Sequence, residues 1–114
     1  MSPKKLPNKK QRPKKRTFYF KLGLGKKIDY LIENLAMLLD SGMTIETAIN
    51  AIQEGERSLT MKKVLTALKE DIEAGFPLWK ALKRTGLFPA HVVALVKIGE
   101  ASGKLPENLS LIHI

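Results

Sequence analysis

The chain has 114 residues, 44% of them apolar, with 20 Lys and Arg against 11 Asp and Glu and no cysteine. That length suits one domain with a single modest core, and the absence of cysteine excludes disulfide scaffolds, thiolate metal sites and cysteine nucleophiles, in keeping with a reducing compartment such as the cytoplasm. The formal charge of +9 is unevenly spread: residues 1–27 hold 11 bases and no acid, leaving 9 of the 20 bases against all 11 acids in residues 28–114.

The opening MSPKKLPNKKQRPKKR carries Pro3, Pro7 and Pro13 and almost no apolar side chain. Such a segment cannot offset the entropy of ordering, so residues 1–27 are expected to form a disordered basic tail ahead of a helical domain at 28–114. No apolar run follows the basic residues, so the start does not read as a secretory signal. The longest stretch without charge, Thr85 to Val96, contains Pro89 and is well short of the roughly 18–20 residues a spanning helix needs.

From Ile28 the apolar spacing is helical. Ile28, Leu31, Ile32, Leu35, Leu38 and Leu39 make one stripe ending at Ser41 and Gly42, which predicts a first helix. Thr44 is placed to cap a second, with Ile45, Ala48, Ile49 and Ile52 inward and an end near Gly55. A third runs from about Leu59 to Ala74 with Met61, Val64, Leu65, Leu68 and Ile72 on one face, stopped by Gly75. Pro77 opens a fourth through Arg84, Pro89 a fifth through Ala101, and Pro106 a sixth, each proline suited to a first helical turn. No segment shows sustained strand alternation. The reading is an all-α antiparallel bundle of about six short helices with loops of a few residues.

The chain also repeats itself. Gly42, Thr44, Ile45, Ala48 and Ile49 are matched 33 residues on by Gly75, Pro77, Leu78, Ala81 and Leu82. Two copies are fewer than a solenoid needs, so the repeat predicts a pseudo-symmetric bundle completed by helices five and six.

Three blocks, LAMLLDSGMTIETAI, ALKEDIEAGFPLWKAL and LFPAHVVALVKIGEASGKLPENL, in this order and spacing, resemble the F domain of type II secretion and type IV pilus assembly. The resemblance covers about residues 28–112. The family's FP corresponds to Phe88 and Pro89, and its GE…SG turn to Gly99, Glu100, Ser102 and Gly103. It implies the cytoplasmic domain of an inner-membrane platform protein, without catalytic activity of its own. That protein couples a cytoplasmic ATPase to the assembly of pilin-like subunits. Family members usually continue into membrane helices, so the stop at Ile114 is expected to reflect a truncation that leaves the anchors out. The basic start is not part of the family motif.

The residues read on their own terms agree with a non-enzymatic domain. There is no phosphate-cradling Gly-rich loop, no His-Glu-X-X-His and no cysteine, and His91 and His113 are the only histidines. A metal needs several convergent donors, so His91 is assigned none, Glu100 is only a weak candidate ligand, and no cofactor is expected beyond a divalent cation shared across an interface.

The candidate interface or motif residues are Gly42, Gly75, Trp79, Phe88, Pro89, Gly99, Glu100 and Gly103. A mid-helix glycine costs about 1 kcal/mol against alanine, and a carboxylate in a last helical turn opposes the helix dipole. Gly99 is therefore read as a point of close helix approach, within the bundle or at a dimer contact. Glu100 is read as facing an external or intersubunit cation, beside the bland alternative of a surface pair with Lys97 or Lys104. Trp79 is read as core or near-core.

The tail suits an anionic membrane surface. Nucleic acid is the competing polyanion, with Phe18, Tyr19 and Phe20 as stacking faces unless these aromatics dock on the bundle, and a solvated tail that only maintains solubility is the third reading. A small nucleic-acid-binding module is thus the alternative function, disfavoured because helices one to three are neutral or acidic where a recognition helix would be basic.

Overall fold

The computed structural model describes residues 25–112; most of the expected tail, residues 1–24, and His113 and Ile114 lie outside the described residues. Six helices follow one another: α1 Gly25–Asp40, α2 Ile45–Gly55, α3 Leu59–Glu73, α4 Leu78–Thr85, α5 Ala90–Ser102 and α6 Leu105–Ser110, with no strand among the described residues. The all-α reading and the helix order stand. Helix α1 takes in Gly25, Lys26 and Lys27, which apolar spacing alone assigned to the tail. Both lysines are exposed ahead of the first buried residue, Ile28. Periodicity marks where a helix is buried, and lysine, a good helix former, carries α1 beyond that point.

Each helix packs on its neighbour in sequence, and α6 closes the bundle by returning to α1. The stripes meet in one core, in which Leu35, Ile49, Leu65, Leu68, Leu82 and Val96 are fully enclosed. Full burial of a side chain of this size contributes about 1.5–3 kcal/mol. Leu38, Leu39, Ile45, Ile52 and Ile72, at the margins of their stripes, are only partly buried against that core.

The repeat is a repeated turn. Gly42 and Gly75 have φ of 103° and 100°, a left-handed backbone that glycine adopts without penalty. At the end of α1 the Met43 N–H donates to the Leu38 carbonyl at 3.2 Å and the Gly42 N–H to Leu39 at 3.0 Å. At the end of α3 the Phe76 and Gly75 N–H groups donate to Asp71 and Ile72, both at 3.0 Å. Both pairs form the Schellman arrangement that satisfies the last carbonyls of a helix. The α5–α6 turn is related: Gly103 has φ 76°, and Lys104 N–H donates to the Gly99 carbonyl at 2.9 Å. A Cβ at Gly42 would meet no atom within 4 Å. Gly42→Ala is therefore expected to cost only the left-handed backbone term, about 1 kcal/mol, read as a lowered urea midpoint. Gly55→Ala, equally uncrowded but without positive φ, should leave the midpoint unchanged or raise it.

Pro77 and Pro89 sit one position earlier than expected, as N-caps of α4 and α5 with extended ψ of 159° and 154°. The chain leaves the preceding turn extended, and each proline carbonyl then accepts the first helical bonds, from Ala81 and Val93 among others. Pro106 lies inside the first turn of α6.

Candidate functional site

Thr44 caps α2 with its own hydroxyl, which accepts from the Thr47 N–H at 3.2 Å. Its counterpart in the repeat, Pro77, has no acceptor on its side chain, and α4 has no cap of its own. The first N–H groups of a helix lack intrahelical partners and carry the positive end of the helix dipole, so a proline-capped start needs an acceptor from elsewhere.

Glu100 supplies it. Its Oε2 accepts from the Leu78 N–H at 2.7 Å and its Oε1 from the Trp79 N–H at 2.8 Å. The last turn of α5 and the first turn of α4 lie side by side, so a carboxylate that is unfavourable on its own helix is favourable on its neighbour. This corrects the expectation of an external or intersubunit cation: the compensating charge is the N-terminus of α4. The expected pairs with Lys97 and Lys104 are not formed; Arg84 with Asp71, at 2.8 Å, is the ion pair among the described residues. Lys97 instead lies over the Trp79 ring, with Nζ 4.5 Å from its centre.

Gly99, the residue before, serves the opposite neighbour. It is buried, and a Cβ built on it would lie 2.9 Å from Leu105 Cα and 3.2 Å from Asn108 Cβ. Helix α6 therefore crosses α5 at this glycine, and the close approach is within the bundle. Asn108 secures the crossing by donating from Nδ2 to the Leu95 carbonyl at 3.1 Å.

Gly99, Glu100, Gly103 and Trp79 thus meet at one corner joining α4, α5 and α6. Phe88 is buried in the core and Pro89 starts α5. Gly42 and Gly75 make the two earlier turns and do not join the corner. Trp79 is partly buried, packed against the core, and His91 is exposed on α5. Among the described residues no three His, Asp or Glu converge as metal ligands. With both oxygens taken by backbone donors, Glu100 acts as a clasp between helices. Sequence reasoning missed that role, although a proline standing where the repeat has a threonine was its signal. Asn108 was missed as well.

The chain matches the family described as type II secretion system (T2SS), protein F, over residues 31–112. It is 36% identical over 92 residues to the protein transport protein HofC homolog of Escherichia coli (strain K12), covering 78% of this chain and 23% of that protein. It is 26% identical over 76 residues to the type IV pilus assembly protein PilC of Pseudomonas aeruginosa, 67% of this chain and 20% of that protein. It is 27% identical over 78 residues to the type II secretion system protein F of Xanthomonas campestris pv. campestris, 68% of this chain and 19% of that protein. The chain therefore spans about a fifth of the length of these relatives. All three blocks and all six helices but the start of α1 fall within the matched region, and the chain belongs to the type II secretion system protein F family.

Proposed function

We propose that this chain is a non-enzymatic scaffold domain of an inner-membrane platform protein that couples a cytoplasmic ATPase to the assembly of pilin or pseudopilin subunits. The observation that carries the reading is the family match over residues 31–112, together with relatives named for protein transport, pilus assembly and type II secretion. The corner residues fit a structural part: the hydrogen bonds that Glu100 and Asn108 make run to backbone groups inside the bundle. No helix among the described residues is long and apolar enough to cross a membrane, so anchoring would come from elsewhere in a longer protein. In this reading the domain sits on the cytoplasmic face. Its basic tail meets the anionic leaflet, where each Lys or Arg contributes about 1 kcal/mol. A second copy, the ATPase and pilin-like subunits are its protein partners.

The test is calorimetric titration of the full chain, and of a variant with the Lys and Arg of residues 1–24 replaced by Gln, against the cognate ATPase and against duplex DNA. Both forms are expected to bind the ATPase equally, and DNA binding, where it occurs, should vanish with the tail charges. DNA binding by the neutralised variant without ATPase binding would overturn the reading.

A further inference from the structure

The α4–α5 hairpin differs in charge from the rest of the bundle. Residues 28–76 carry nine acids and four bases, whereas from Pro77 to Gly99 there is no acid and there are four bases, Lys80, Lys83, Arg84 and Lys97. Three of the four lie over aromatic rings of the domain itself, Lys97 among them, with Nζ 4.5 Å from the centre of Trp79. Arg84 pairs with Asp71 and lies over the Phe76 ring at 4.9 Å, and Lys80 lies over the same ring at 5.3 Å. Lys83 and Lys97 are exposed and have no ion-pair partner among the described residues.

These two lysines flank a groove between α4 and α5. Trp79 and Phe88 form its apolar walls, and Ala90 and Ala94 leave a shallow shelf between them, where larger side chains would have filled the space. The groove therefore offers apolar area for one or two side chains, under a rim of a single sign.

The occupant follows from the charge. Residues 1–24 contain nine Lys and Arg and no acid, so the chain's own tail is repelled by this rim. A second copy presenting the same face about a two-fold axis would set lysines against lysines. We infer that the α4–α5 groove is a docking site for an acidic peptide segment of a partner protein. An apolar side chain of that segment seats on the Ala90 and Ala94 shelf between Trp79 and Phe88, and carboxylates on either side of it meet Lys83 and Lys97. Complementary rim charge gives such a contact its selectivity. The inference rests on the groove alone and is independent of the platform reading.

Trp79 is the only tryptophan in the chain, so its emission reports the groove without labelling. A displayed library of random peptides is selected on the full chain, and the recovered peptides are synthesised and titrated against it. The expected peptides carry Asp or Glu around an apolar residue, shift Trp79 emission, and bind the Lys83→Glu/Lys97→Glu double variant about tenfold or more weakly. Ala94→Leu, which fills the shelf at an exposed position, should weaken them too while far-UV circular dichroism stays unchanged. Failure to enrich any peptide, enrichment of neutral or basic ones, or equal binding to the double variant would each overturn the inference. So would a Trp79 shift, lost in the double variant, that depends on chain concentration alone or on phosphatidylglycerol vesicles, since either would place a second copy or a lipid surface in the groove.

Discussion

Glu100→Ala is expected to lower the stability of the bundle by about 2–4 kcal/mol, because it leaves the Leu78 and Trp79 N–H groups without their acceptors at 2.7 and 2.8 Å. Hydrogen bonds to a charged partner contribute about 1.5–3 kcal/mol each, and partial access of water at this corner recovers some of that loss. For a domain of this size the change corresponds to about 10–20 °C in Tm, read by far-UV circular dichroism. Glu100→Gln, which keeps one acceptor and loses the charge that favours the α4 dipole, should cost about half as much. The cause can be separated from a generic packing loss by restoring a cap locally. Pro77→Ser gives α4 the kind of side-chain acceptor that Thr44 gives α2, and in the Glu100→Ala background it should regain about 1 kcal/mol. If Glu100→Ala instead unfolds at the wild-type midpoint while binding of the ATPase is lost, Glu100 belongs to an exposed contact and the clasp is wrong.

Gly99→Ala is expected to destabilise by about 1–3 kcal/mol, against the gain of about 1 kcal/mol that this exchange normally brings in a helix. The reversal comes from α6. The new Cβ would fall 2.9 Å from Leu105 Cα, and a main-chain atom cannot rotate away as a side-chain tip can. Helix α6 must move outward, which strains the Asn108 bond to the Leu95 carbonyl. Backbone amide chemical shifts should change most in α6 and the adjoining turn, and the urea midpoint should fall. A variant more stable than the wild type would show that α6 is not held against α5 at this position.

Most of the fold can be read from single stripes of side chains. Leu31, Leu35, Leu65 and Leu68 are buried where a period of 3.6 places them, and Gly42 and Gly75 end helices as their spacing implies. These features are local, since a helix face and a terminating glycine need only their own neighbours in sequence. Glu100 was legible only as an anomaly. Its partners at 78 and 79 lie some twenty residues away, and a residue judged against the dipole of its own helix is misjudged when the opposite end of another helix lies closer. Comparing Thr44 with Pro77 across the repeat was the available clue. Gly99 lies against α6, but which helix approaches it depends on how α6 folds back, and α6 is too short to announce its direction through an apolar stripe. The start of α1 escaped because lysines extend a helix without marking a buried face.

Two consecutive residues of α5 face different neighbours: Gly99 admits α6 and Glu100 holds α4. Successive positions on a helix are rotated by about 100°, so any roll of α5 that preserved one of these contacts would break the other. Sliding α5 along its axis would likewise drive a side chain into Leu105 and pull the carboxylate away from the α4 amides. The helix is keyed in rotation and in translation, like a shaft held by two pins. Glu100 and Gly99 together therefore set both the rotation and the axial position of α5 between α4 and α6.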